Sequence, residues 1–372
     1  MKHFNRQLPI AAVVGPTILT LSFALASCGT QGGWGPPTQL AQPKQLKTPL
    51  ATPTPSVATL AEYTLPSANS YLGGLSSGPD GNMWATECDA NKIARVTQAG
   101  TITEFPVPSA GACPQFITPG PDGALWFNEV NFNTIARITT TGVITEFPLP
   151  PPLAGATPNL NGIAAGPDGN IWFVHAGANV VGVMSTSGSL IATYAIPTAN
   201  SNVGLIISGP DGNMWFGDQN NNKIARITLS GTITEFTLPT PPLTPPDSGA
   251  GDIGGIVAGL DGNVWFTERR ANQVARITPA GVITEFGPFA TGDLRFQRIT
   301  TTPDGFFWFA EFTTTTPFSG EIAKMNPSGT LVAEYSLPGG RPRGVALGPD
   351  NNVWFTDEFQ NVVGKLTTGL RR

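Results

Sequence analysis

Charge is scarce in this chain. Asp, Glu, Lys and Arg together make up 12% of its 372 residues, and the formal net charge is −5. Removal of an N-terminal segment with Lys2 and Arg6 would make the balance more negative. That excludes a nucleic-acid partner, which needs a basic face for phosphate. Histidine is rarer still, with two residues, His3 and His175. Cysteine occurs three times, at Cys28, Cys88 and Cys113. Beyond the N-terminus no run is long and apolar enough to span a bilayer. Glycine (44) and proline (36) are abundant instead. That mixture suits short strands joined by tight turns, and long helices need the opposite.

The first 28 residues read as a targeting segment. Lys2 and Arg6 form a charged start, and an apolar stretch from Leu8 to Ala26 follows. It ends in Leu25-Ala26-Ser27-Cys28-Gly29, which looks like a bacterial lipoprotein signal. Cys28 is then the lipidated residue, the chain is anchored to a membrane on its extracytoplasmic side, and 1–28 is the signal. Residues 29–57 are rich in Pro and Thr without a hydrophobic period, and read as a flexible tether. Residues 58–372 remain for the folded domain, expected to be a monomer.

That domain is a repeat. A unit close to Gly-Pro-Asp-Gly-Asn-φ-Trp-Phe-Thr-Glu, then Asn-Lys-Ile-Ala-Arg-Ile-Thr, then Gly-x-Ile-Thr-Glu-Phe, occurs seven times. Its tryptophans are Trp84, Trp126, Trp172, Trp215, Trp265, Trp308 and Trp354, spaced 42 to 50 residues apart. The period fits one four-stranded blade, so the expected fold is an all-β, seven-bladed β-propeller with four antiparallel strands per blade. Strand a is short and apolar, as in Gly162-Ile163-Ala164-Ala165, and Pro-Asp-Gly-Asn makes the a–b turn. Asn351 replaces that glycine in the last unit, where Asn is the next best residue for φ > 0. The last unit stops after strand c, while Leu60–Pro66 reads as a strand d with no preceding a, b or c. The N-terminal segment should therefore close the last blade.

Two positions per unit are candidates for chemistry on the face carrying the d–a crossings and b–c loops. The first follows Thr of the strand-b motif: Glu87, Glu129, His175, Asp218, Glu268, Glu311 and Asp357. Six carboxylates and one His in a ring could hold Mg²⁺ or Ca²⁺, or raise one another's pKa for acid–base work. The same residues could instead cap strand ends in every blade. His175 could act as a base or ligand, or be a hydrogen-bonded polar residue. The second position precedes strand a and varies: Gly73, Gln115, Asn161, Gly204, Gly254, Gln297 and Arg343. Gln115, Asn161, Gln297 and Arg343 are the expected ligand-binding residues. Arg343 either binds an anionic or carbonyl group or neutralises the ring.

Other positions read as architecture. Strand-c bases (Arg95, Arg137, Arg226, Arg276, Lys324, Lys365) are expected to pair with strand-d acids (Glu62, Glu104, Glu146, Glu235, Glu285, Glu334). Cys88 and Cys113 fall on the same face, and a disulfide between them is geometrically reasonable in an oxidising compartment. The insertions Pro148–Pro158, Pro239–Pro246 and Thr313–Ser319 should stand as a rim on that face.

The unit, with its Ile-Thr-Glu-Phe-Pro-Leu-Pro ending, resembles the streptogramin B (virginiamycin B) lyase family across about residues 58–372. The resemblance implies a seven-bladed propeller that opens a cyclic depsipeptide lactone by elimination and needs Mg²⁺. It also implies catalytic groups: a His in a Pro-His-Gly-Ile type turn before strand a, a second His, and a Glu of a Trp-Phe-Thr-Glu segment. Glu87, Glu129, Glu268 and Glu311 occupy the Glu slot, with Glu268 and His175 the candidate catalytic pair. The turn His has no counterpart among the seven positions before strand a. The expected function is therefore binding of a polar small molecule, peptide or glycan on the channel face. A C–O lyase or metal-dependent lactone hydrolase is the alternative, and an envelope interaction scaffold the third reading.

Overall fold

The computed structural model describes residues 58–151, 153–240, 253–269, 271–289, 294–314 and 317–369. The expected signal, tether and lipidated Cys28 lie outside the described residues, as does most of the Pro239–Pro246 insertion.

Seven four-stranded antiparallel sheets follow one another along the chain. Blade 1 comprises Leu72–Ser77, Met83–Glu87, Lys92–Val96 and Ile102–Pro106, as strands a to d. The remaining a strands are Pro114–Pro119, Leu160–Ala165, Val203–Ser208, Ile253–Ala258, Leu294–Thr301 and Pro342–Leu347. Each strand a contacts the a strands of the blades before and after it, and that of blade 7 contacts that of blade 1, so the a strands form a closed inner ring. Blade 7 has the order β-strand Leu60–Thr64, then Val362–Leu366, Val353–Asp357 and Pro342–Leu347. Leu60 pairs with Leu366 and Thr64 with Val362, so the N-terminal strand closes the ring as the sequence implies. No seam between first and last blade is left with unpaired backbone.

The tryptophans explain why the repeat packs. All seven are fully buried, each in a cluster that joins two blades. Trp84, for example, packs on Leu125, Phe127 and Ile138 of blade 2 and stacks on Phe105 at 5.6 Å. Its indole N–H donates to Asp80 of the Pro-Asp-Gly turn at 3.0 Å. A Cβ on Gly78 would stand 2.4 Å from that indole nitrogen, so the turn's first glycine is required by the close approach. Blade 6 has Thr302 there, and Trp308 donates to its hydroxyl instead. Asn351 adopts φ +60°, matching the turn glycines it replaces.

The strand-c bases take a different partner from the one expected. Arg137, Arg226, Arg276, Lys324 and Lys365 reach the turn aspartates Asp122, Asp211, Asp261, Asp304 and Asp350 of their own blades. Arg226 and Arg276 also lie over their blade's tryptophan ring. The reason is register: Arg137 stands opposite Trp126, whose indole already points at Asp122. The strand-d acids are engaged elsewhere. Glu104, Glu146, Glu235 and Glu285 accept from Ser67, Ser109, Thr198 and Thr240 on the crossings that lead into their blades.

Candidate functional site

Every strand a is interrupted at the same place. The pairing of a with b shifts between Leu72 and Leu75, Pro114 and Ile117, Phe296 and Ile299, Pro342 and Val345, and likewise in the other three blades. The two residues inside each bulge are released from the ladder with b, and a bulge re-aims the side chains it carries. The first is the variable position read from the sequence. In blades 1, 2, 5 and 7 the bulge is fixed from behind by a threonine or asparagine that precedes the strand-b acid. Thr86 Oγ1 accepts from Gly74 N (2.8 Å) and donates to Gln115 O of the next blade (3.0 Å). Thr267 does the same between Gly255 and Gln297, and Asn128 between Phe116 and Asn161.

The bulges surround a cavity of about 70 Å³ at the axis, several times the roughly 10–15 Å³ that one water needs. It is lined by Gly73, Gln115, Gly204, Gly254, Gln297 and Arg343, six of the seven variable positions, together with Phe116, Leu205, Gln219, Arg269 and Arg298. Asn161 is not among them, because its amide donates to Val203 O at 2.8 Å. A second space of about 360 Å³ continues along the a strands, walled largely by Ile117, Ile163, Ile206, Ile256, Ile299 and Val345. Leu205 and Arg298 border both spaces.

The mouth is cationic. Arg343 donates to Glu358 at 3.0 Å and lies over Tyr71, and Glu358 also pairs with Arg341 at 2.9 Å. Arg269 donates from Nη2 to Gln297 Oε1 at 2.7 Å, while its buried Nε has no partner. Arg298 lies 4.6 Å from the ring centre of Phe116. Burial, aggravated by Arg343 and other guanidinium groups nearby, pulls Arg269 down to about 10 and Arg298 to about 9. Room for this is made by glycine: a Cβ on Gly254 would meet Arg269 Cγ at 2.9 Å, and one on Gly204 would meet Gln219 Nε2 at 2.4 Å. Tyr71 itself has φ +47°, a costly backbone for an aromatic residue and one found where surrounding structure enforces it.

The strand-b carboxylates do not form a ring around this mouth. Glu87, Glu129, His175, Asp218, Glu268, Glu311 and Asp357 are all buried, and none lines either space. The reason is geometric. Both faces of a blade pack on neighbouring blades, and only strand a and the loops reach the axis, so a strand-b side chain points into a seam. Desolvation raises Glu87 to about 7 and Glu129 to about 8, and Glu104 and Glu146 of their own blades push the same way. Asp218 accepts from Ser201 and Asn221. Asp357 accepts from the backbone of Arg341, Phe359 and Gln360. These are strand-end and loop anchors.

His175 is one of them. Ala178 N donates to its Nδ1 at 3.2 Å, so Nε2 carries the proton and donates to Asn133 Oδ1 at 3.0 Å. Burial lowers its pKa, and with both nitrogens engaged in a sealed seam it has no lone pair to offer a ligand at the mouth. It and Glu268 stand at the ends of strand b in blades 3 and 5, in separate seams. Cys88 and Cys113 are disulfide-linked across 25 residues, at the rim between blades 1 and 2.

The mouth does not fit a divalent cation: among the described residues guanidinium groups line it, and the one carboxylate beside it, Glu358, is already shared by Arg341 and Arg343. Among the described residues, three carboxylates come within reach of one ion at Glu311, Glu321 and Glu334, whose oxygens lie within 4.8 Å of one another. Such hard oxygen donors suit Mg²⁺ or Ca²⁺. They stand on strands b, c and d of blade 6, which contribute nothing to the mouth. Burial first, then Glu321 and Glu334, pushes Glu311 up to about 8.

Arg269, Arg298 and Gln219 were not singled out from the sequence, although a signal was there. Arg269 stands where the other units have Cys88, Val130, Ala176, Gln219, Phe312 and Glu358. Arg298 stands where they have Gly74, Phe116, Gly162, Leu205, Gly255 and Gly344.

Known proteins share this architecture. The virginiamycin B lyase family profile matches residues 55–254 and 246–370. The chain belongs to the virginiamycin B lyase family. A streptogramin B lyase structure is 32% identical with a TM-score of 0.72, covering 83% of this chain and 97% of its own. The virginiamycin B lyase of Staphylococcus aureus is 34% identical with a TM-score of 0.71, covering 83% and 99%. A catalytically inactive variant of the S. aureus enzyme with quinupristin aligns over the same shares at 34% identity and a TM-score of 0.72. No curated protein matches the chain.

Proposed function

We propose that this member of the family is an extracytoplasmic lipoprotein, tethered through Cys28, that acts as a monomeric binding propeller. Its ligand is a small polar molecule, peptide end or glycan taken at the channel mouth. The observation that carries this reading is the convergence of the repeat's variable positions on one cavity, with Gln115, Gln219 and Gln297 supplying amides beside three arginines. Variation confined to one end of otherwise uniform units is what a recognition surface requires.

The reading also holds that the family's elimination chemistry has been lost. Proton abstraction needs a base at the mouth, and the seven variable positions at the bulges of strand a carry Gly, Gln, Asn or Arg. His175 and Glu268 belong to closed seams. Family membership keeps a lyase as the second reading.

A single comparison tests both. The intact protein is incubated with a streptogramin B depsipeptide, and ring opening is followed by mass spectrometry. In parallel, thermal shift is recorded with a panel of sugars, peptides and small acids, for wild type and for Gln115→Trp, which plugs the mouth. Binding without turnover, abolished by the plug, supports the proposal. Ring opening over many turnovers per protein replaces it with the lyase.

A further inference from the structure

Among the described residues, the mouth holds more positive charge than carboxylates neutralise. Four guanidinium groups, Arg269, Arg298, Arg341 and Arg343, face one carboxylate, Glu358, which is already shared by Arg341 and Arg343. Among the described residues, no carboxylate lies within ion-pair distance of Arg269 or Arg298. Among the described residues Arg269 has one hydrogen bond, to a neutral amide, and its buried Nε has none. Arg298 rests on the face of Phe116 between the mouth and the apolar part of the channel.

Arginines this close repel one another, and burying an unpaired charge is costly. The protein nonetheless places two of them where the repeat elsewhere has uncharged residues, apart from Glu358, and Gly254 leaves room for Arg269. Planar guanidinium groups match oxyanions by paired N–H···O bonds, and such bonds strengthen in a water-poor pocket.

We infer that the channel mouth is an oxyanion site, in which Arg269, Arg298 and Arg343 hold the carboxylate or phosphate group of the ligand. The inference rests on the reading of the mouth as the ligand site and gives that ligand a charge. Phe116 flattens against Arg298 and fixes its plane. The isoleucines of the continuing channel would receive an apolar portion attached to the anionic head. The same charge pattern excludes Mg²⁺ and Ca²⁺ from this position.

The test is calorimetric titration of the full-length protein with sodium acetate, succinate and phosphate. Ionic strength is held constant with NaCl. At least one oxyanion should bind saturably at one site per chain, and the acetate and phosphate arms separate a carboxylate from a phosphate site. Arg298→Gln and Arg269→Gln should each weaken binding about tenfold or more, the usual scale for a lost charged hydrogen bond. Arg298→Lys, which keeps the charge without the fork, should fall between. Arg137→Gln, on an outer strand, should leave affinity within about twofold, as expected for a distant site. No oxyanion response above the chloride background, or a response unchanged in Arg298→Gln and Arg269→Gln, overturns the inference. A neutral sugar or amide that binds wild type but not Gln115→Trp, without any oxyanion response, overturns it while the binding reading stands. No response from any ligand removes both.

Discussion

Ser109 donates both its backbone N–H and its hydroxyl to the carboxylate of Glu146, at 2.8 and 2.9 Å. Ser109 lies on the crossing out of blade 1, and Glu146 on the outer strand of blade 2. The same clamp recurs as Ser67 with Glu104, Thr198 with Glu235 and Thr240 with Glu285. The outer strand of each of these blades thus holds the connection that enters it. Glu146→Ala should cost about 1–2 kcal/mol, the scale of charge-assisted hydrogen bonds. A urea-unfolding double-mutant cycle with Ser109→Ala should give a coupling energy well above zero. Strict additivity would show the clamp to be idle.

Closure of the ring gives the second prediction. Tyr63 of the N-terminal strand stacks on Trp354, and Leu60 and Ala58 pack on the cluster that joins blades 6 and 7. Deleting 58–66 should lower the melting temperature far more than deleting 29–57. The loss includes a whole ladder of backbone hydrogen bonds, and it leaves the edge of Val362–Leu366 open. Equal melting temperatures for the two truncations would contradict the topology.

The buried carboxylates predict an unusual pH profile. Glu129 and Glu311 are raised from the usual 4.5 to about 8 by desolvation, so the folded protein holds their protons where the unfolded chain releases them. Stability from these groups is full below about pH 4.5 and declines as pH rises through 8. His175, lowered by burial, acts oppositely, and its contribution is lost as pH falls below 6.5. Glu129→Gln with Glu311→Gln should flatten the alkaline decline, adding on the order of 2–4 kcal/mol at pH 9. Chemical denaturation from pH 4 to 9 measures this, and an unaltered slope would refute it.

Blade 6 offers a stabilising substitution. In blades 1 and 4 the residue opposite the strand-b acid is a lysine that pairs with the strand-d glutamate, as Lys92 with Glu104 and Lys223 with Glu235. Blade 6 has Glu321 opposite Glu311, and Glu334 completes a cluster of three acids. Glu321→Lys should restore the pattern and raise stability by about 1 kcal/mol at neutral pH, since like charges are replaced by a paired one. Thermal unfolding without added metal reads it. If EDTA-treated wild type is instead more stable than the variant, relief of repulsion is not the governing term.

The fold was legible because its cues are local and repeated. Seven tryptophans fixed the blade register, Pro-Asp-Gly fixed the turns, and the unmatched Leu60–Pro66 strand left one way to close the ring. Half of the mouth was legible too: Gln115, Gln297 and Arg343 were found as irregularities in a regular text. The acid ring misled for a physical reason. Period-two alternation shows that Glu87 and Trp84 lie on opposite faces, but both faces of a propeller blade are interior. Distance from the axis, and not face, decides what a ligand meets. Arg269 and Arg298 were passed over because each sits one residue beyond the repeat position under scrutiny. The bulge that brings Arg298 to the cavity is invisible in a pattern of hydrophobicity.

The bulges carry a consequence for how such a protein changes over generations. Two residues per blade are exempt from pairing with strand b, and in blades 1, 2, 5 and 7 a threonine or asparagine behind them holds the backbone. Single substitutions there can exchange amide for guanidinium while the tryptophan seams keep the ring intact. A lineage can therefore trade one ligand for another without passing through an unfolded ancestor.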